Sequence, residues 1–142
     1  MSLRKIPDDT KAFHFYNANP KNNRTGDCVI RAIACATDKS WDEVLTDLMK
    51  YALKYKLMPN DTKCYAKYLA DLGWVKCGQP RKHDNTKYTG TQFIEDYMPY
   101  MKSKVVIAHI GGHHIVCIKN DKIQDIWNSE DGCIGNYWIK VN

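Results

Sequence analysis

From residue 28 the apolar positions of this chain follow a helical period, and from residue 104 they fall into short strand-like runs. The segment 28–37, CVIRAIACAT, is apolar on most faces and predicts a buried helix with Asp27 as its N-cap. Ser40, with Glu43 three residues on, predicts a capping box. Behind it Trp41, Val44, Leu45, Leu48, Ala52 and Tyr55 recur at three- and four-residue spacing, an amphipathic helix to about residue 56. Asp61 is placed to cap a third helix with Tyr65, Tyr68, Leu69 and Leu72 inward, and Gly73 stands where a C′ glycine belongs. A short fourth helix is expected over 91–97, before Pro99, and a long loop over 76–90.

The pattern then changes. The runs KVVIAHI (104–110), HIVCIK (114–119), KIQDIW (122–127) and NYWIKV (136–141) are rich in β-branched and aromatic residues. Gly111-Gly112 separates the first two, and Asn120-Asp121 between the next two predicts a tight hairpin turn. Helices first and an antiparallel sheet afterwards predict an α+β domain, with N-terminal helices packed on a C-terminal antiparallel sheet.

At 142 residues the chain is one domain. Residues 1–21 are polar and rich in turn formers, and are set apart as an N-terminal arm; 22–142 form the domain. The net charge of +5 is spread over two loose groups near the N-terminus and in the middle, with no finger, RNP or helix-turn-helix signature. Nucleic acid is therefore not expected as a partner. No run of 18 apolar residues and no apolar leader segment occur, so neither a membrane span nor export is expected, and the cytoplasm is the expected compartment. There, six cysteines read as reduced thiols rather than as disulfides. No CxxC pair and no HExxH occur, so neither a metal nor another cofactor is expected. Nothing in the sequence sets an oligomeric state.

One of the six thiols has chemistry around it. Cys28 opens the first helix, where unpaired N–H groups and the helix dipole favour thiolate and can hold an oxyanion. His114 opens a strand behind two glycines. With a two-residue turn at 120–121, paired positions sum to 241, so His114 faces Trp127, and Asp125 shares that side within hydrogen-bonding reach. A three-residue turn would bring Asn128 opposite His114 instead. His113 is the alternative base, should the strand begin earlier. Cys35, Cys64 and Cys117 are expected in the core, and Cys77 and Cys133 nearer the surface.

GDCVIRAIA followed by HHIVCIKNDKIQDIWN resembles the small papain-like cysteine peptidase domains of phage, prophage and bacterial genomes, over about residues 22–141. The resemblance implies a papain-like fold and nucleophilic acyl transfer. Cys28 would be the nucleophile, His114 the acid and base, and Asp125 the orienting acid. Asn22, six residues before the cysteine where many papain-like enzymes carry a Gln or Asn, would be the side-chain oxyanion donor. The implied partner is a peptide or protein substrate. An amidase or isopeptidase, or a binding module that keeps the fold without turnover, are the alternatives. Unequal reactivity of the six thiols separates an enzyme from a binding module.

Overall fold

The computed structural model describes residues 5–141. It is an α+β fold: four α-helices and a six-stranded mixed sheet. The helices are α1 (Cys28–Thr37), α2 (Trp41–Tyr55), α3 (Thr62–Asp71) and α4 (Gly90–Gln92). The strands are β1 (Phe13–Phe15), β2 (Trp74–Cys77), β3 (Val106–Ile110), β4 (His114–Lys119), β5 (Lys122–Asp125) and β6 (Ile134–Lys140), in the sheet order β1-β5-β4-β3-β6-β2. No helix of the described residues is long and apolar enough to cross a membrane.

Strand alternation divides the core in two. Ile107, Ile115, Cys117 and Trp138 face α1, α2 and α3, where Ile33, Val44, Leu48 and Leu69 meet them. Val106, Ala108, Val116, Ile118 and Ile123 face the other way, onto Phe13, Phe93, Ile94 and Met98. Such alternation is what a sheet covered on both faces requires. Helix α1 lies against β4, so the elements carrying Cys28 and His114 are packed directly together.

The helical expectations hold closely for the first three helices. Ser40 accepts from the Glu43 N–H at 3.1 Å, one half of the expected box. Gly73, with φ 90°, follows α3 in the left-handed region that glycine tolerates best. Three corrections concern the rest. The described part of the expected arm, residues 5–21, is not separate, while residues 1–4 lie outside the described residues: Phe13–Phe15 is an edge strand parallel to β5, and Phe13 is wholly buried. The sheet is therefore mixed rather than antiparallel. Residues 76–77 belong to β2, antiparallel to β6, so the loop begins only at 78. Finally, the fourth helix is one α-turn that continues as a π-turn over Phe93–Tyr97 and a 3-10 turn over Met98–Tyr100.

The β4–β5 hairpin sets the site. Its turn is two residues long, and Asn120 (φ 56°) and Asp121 (φ 60°) are both left-handed, as a type I′ turn requires. Pairing runs Lys119↔Lys122, Ile118↔Ile123 and Cys117↔Gln124, the register expected from the sequence. Asp tolerates this conformation less well than glycine. Asp121→Gly is expected to raise stability by roughly 0.5–1 kcal/mol, seen as a higher urea midpoint with unchanged slope. A lower midpoint would contradict the turn assignment.

Candidate active site

Cys28 is the first residue of α1. Asp27 occupies the N-cap position, but its side chain makes no cap hydrogen bond. Its carboxylate is taken instead by Arg31 Nε at 2.8 Å, Trp41 Nε1 at 2.9 Å and Asn19 Nδ2 at 3.3 Å. The amides of the first turn of α1, next to the Cys28 sulfur, are thus left uncapped by this side chain. They are donors for negative charge that develops beside the thiol.

His114 is the first residue of β4, behind Gly111 (φ 63°) and Gly112 (φ 97°), whose conformations turn the chain into the strand. Its Nε2 is bound to Asp125 Oδ2 at 2.6 Å. Trp127 lies over the imidazole with 4.7 Å between ring centroids and shields one side of the pair. With Nε2 occupied, Nδ1 is the nitrogen left for the thiol. Burial pushes the Cys28 thiol up, but hydrogen bonding to His114, the charge on that ring, the Ile115 N–H and Arg31 outweigh it, and the net shift is down. For His114, burial works against the charged ring, yet Asp125 and Cys28 overcome it and push the pKa up to about 9. Both shifts favour a thiolate–imidazolium pair over two neutral groups.

Behind the pair stands a residue that the sequence reading passed over. Arg31 is 7% exposed and bridges two buried carboxylates: Nε donates to Asp27, and Nη1 donates to Asp125. Asp125 accepts in addition from His114 and from the Ile126 N–H at 2.8 Å. A continuous chain of charge-assisted bonds therefore runs from Trp41 through Asp27, Arg31 and Asp125 to His114. The signal was present: an arginine inside an apolar helix has to find buried anions.

Not every expected residue joins this group. Asn128 bonds Glu130, its Nδ2 donating to the carboxylate at 2.8 Å, so it does not replace Asp125. The cause is the two-residue turn, which puts Trp127 rather than Asn128 opposite His114. His113 is exposed, lines the cleft beside Cys28, and has no carboxylate partner among the described residues. Asn22 is exposed, left-handed (φ 56°) and held in a turn by its N–H to Asn19 O, and it does not line the cleft. The side-chain oxyanion role expected of it is therefore unsupported by its position.

The cleft at Cys28 has a volume of about 370 Å³ and is bordered by Gly26, Thr62, Tyr65, His109 and Gly112. Tyr65, expected only on the inner face of its helix, and His109, within the β-branched run 104–110, are additions to the expected site. A larger cleft of about 1140 Å³ opens near Trp74, Tyr100 and Lys104, but no cysteine or histidine of the described residues lines it. Of the other thiols, Cys35, Cys64 and Cys117 are buried, Cys77 is half-buried and Cys133 is exposed, as expected. No family model matches this chain, and neither a curated protein nor a solved structure matches it.

Proposed function

We propose that this protein is a papain-like cysteine hydrolase that cleaves an amide bond in a peptide or protein. The observation that carries this reading is one contact set: a half-buried thiol at a helix start, drawn toward thiolate by a histidine that a buried carboxylate holds at 2.6 Å. The order along the chain, cysteine on the first helix, then histidine and aspartate on paired strands, supports a papain-like arrangement.

The chemistry follows from the protonation states. The Cys28 thiolate attacks the carbonyl carbon; a C–S bond forms and the carbonyl electron pair moves to oxygen. First-turn amides of α1 hold that oxyanion. As the intermediate collapses, the C–N bond breaks and His114 gives its proton to the leaving amine. Neutral His114 then takes a proton from water, whose oxygen attacks the thioester. The C–S bond breaks, the acid leaves, and thiolate and imidazolium are restored. Asp125 keeps the ring oriented throughout and favours its charged form.

Competitive alkylation tests this directly. Iodoacetamide at pH 7, with mass-spectrometric mapping, is expected to modify Cys28 at least tenfold faster than the exposed Cys133. Cys28→Ala is expected to abolish the fast phase. Equal rates at Cys28 and Cys133 would overturn the proposal, because exposure alone would then explain reactivity.

A further inference from the structure

We infer that His109 is a substrate-positioning residue: the Tyr65 hydroxyl holds its Nε2, and its Nδ1–H points into the Cys28 cleft as a donor to a carbonyl of the bound peptide. This rests on the hydrolase reading above and adds a recognition element to the same site.

Four observations support it. Tyr65 Oη lies 2.6 Å from His109 Nε2, and Thr62 Oγ1 lies 3.1 Å from the same Tyr65 oxygen. A relay in which Thr62 donates to Tyr65 and Tyr65 donates to Nε2 leaves the ring proton on Nδ1, since the bond made at one nitrogen sets the tautomer of the other. That Nδ1 has no protein partner among the described residues and is not sealed off as a buried unpartnered atom.

The backbone is also shaped around this ring. Pairing between β3 and β6 is irregular between Ala108 and Ile110, opposite Gly135. A Cβ at Gly135 would stand 3.2 Å from the His109 Cβ, so glycine gives the histidine room. Bulges of this kind re-aim side chains beside active sites. Trp138 then braces both partners, with centroid separations of 5.3 Å to His109 and 5.8 Å to Tyr65.

Third, Thr62, Tyr65 and His109 line the same cleft as Cys28, so a peptide seated over the thiol passes this donor. Fourth, burial, together with Lys76 and His113 nearby, keeps the His109 pKa below its usual value, so the ring is neutral and presents one defined donor. His109 and His114 thus divide the work: one ring is kept neutral by burial and nearby cationic groups and is oriented by a phenol, and the other is held charged by a carboxylate.

The test compares two electrophiles. Iodoacetamide reads thiolate alone; an acetyl-dipeptidyl chloromethyl ketone also carries peptide carbonyls. His109→Gln keeps an amide where Nε2 was and loses the Nδ1 donor; His109→Asn keeps a donor near Nδ1. The ratio of chloromethyl ketone to iodoacetamide rates at Cys28 is expected to fall about tenfold in H109Q, about what one lost hydrogen bond to substrate removes, and to recover in part in H109N. Iodoacetamide rates are expected to stay at the wild-type value in both. In parallel, ring ¹⁵N–¹H spectra are expected to show His109 as the Nδ1–H tautomer, shifting toward Nε2–H in Tyr65→Phe. An unchanged ratio in H109Q, or an Nε2–H tautomer in the wild type, would overturn the inference. A Cys28 no faster than Cys133 would instead sink the hydrolase reading, while the tautomer spectra still judge His109.

Discussion

Arg31→Met is expected to cost about 3–5 kcal/mol of stability, the usual penalty for removing one partner of a buried ion pair. That is a large share of the roughly 5–15 kcal/mol that holds a domain together. The size follows from what the methionine leaves behind. Asp27 and Asp125 are 4% and 2% exposed, and each would keep a carboxylate with its main cationic partner gone. Packing does not suffer equally, because methionine fills most of the volume of the arginine stem. A urea midpoint that moves by less than about 1 kcal/mol equivalent would mean that water reaches these carboxylates and the network is not closed.

Arg31→Lys separates charge from geometry. Lysine keeps the positive charge, but a single ammonium cannot serve Asp27 and Asp125 along two directions as the guanidinium does. Its stability is expected between wild type and methionine. Cys28 alkylation at pH 7 is nevertheless expected to slow in both variants, because Asp125 loses the contact that fixes it against His114. Adding Asp27→Asn to Arg31→Met removes one stranded charge and is expected to recover part of the stability. It leaves Asp125 unpartnered on the Arg31 side, so the alkylation rate is not expected to recover. That dissociation would show that fold and site use opposite ends of one arginine.

What could be read from the sequence divides along the range of the interactions. Helix α1 and the β4–β5 hairpin are local elements, and their signals lie within a few residues. Apolar density marked 28–37, and Asn120-Asp121 marked a turn whose length alone dictated which side chains face each other. The His114–Asp125 contact follows from that register, which is why it could be derived on paper. Strand β1 is different. Three residues cannot display a period, and its partner is parallel and more than a hundred residues away, at Ile123–Asp125. Strand β2, four residues long, is equally mute, since its exposed Val75 and Lys76 look like loop. The fourth helix shows a further limit: helical periodicity does not tell an α-turn from the wider π-turn that Phe93–Tyr97 adopts.

Within the site the same division holds. Cys28, His114 and Asp125 sit at element starts and on a countable register. Asn22 was placed by counting six residues back from Cys28 through a loop, and loops do not conserve direction per residue as helices and strands do. Asp27 stands at the N-cap as expected, but its side chain does not cap the helix. Capping preference treats the carboxylate as free, whereas Arg31, Trp41 and Asn19 claim it. Tyr65 and His109 were hidden by their context, an inner helix face and a β-branched run, where aromatic and imidazole rings usually only pack.

His114→Ala is expected to slow Cys28 alkylation at pH 7 by at least tenfold. Without the ring, the strongest influence holding the thiol down is gone, while burial, which pushes it up, remains. The pKa then moves up toward the ordinary thiol range, in which only a few per cent of thiolate exists at pH 7. In the wild type the rate is expected to rise with pH at values below those of an ordinary thiol and then level off. Asp125→Asn addresses the other member of the pair. The His114 pKa is held up at about 9 against burial, with Asp125 as the leading favourable partner. An uncharged amide weakens that support, so an imidazole titration followed by NMR is expected to move downward from about 9. The sign for stability follows. A histidine whose folded pKa exceeds its unfolded value of about 6.5 adds stability fully below that value and loses it as pH rises through about 9. The His114 contribution is therefore expected to decline between roughly pH 6.5 and 9, while the lowered Cys28 thiol contributes in the opposite sense over that range. Asp125→Asn is expected to remove part of the declining contribution, so that variant's stability falls less, or rises more, with pH than the wild type's. A His114 that titrates near 6.5 in the wild type would remove the imidazolium from the resting site, and with it the proton that the leaving amine needs.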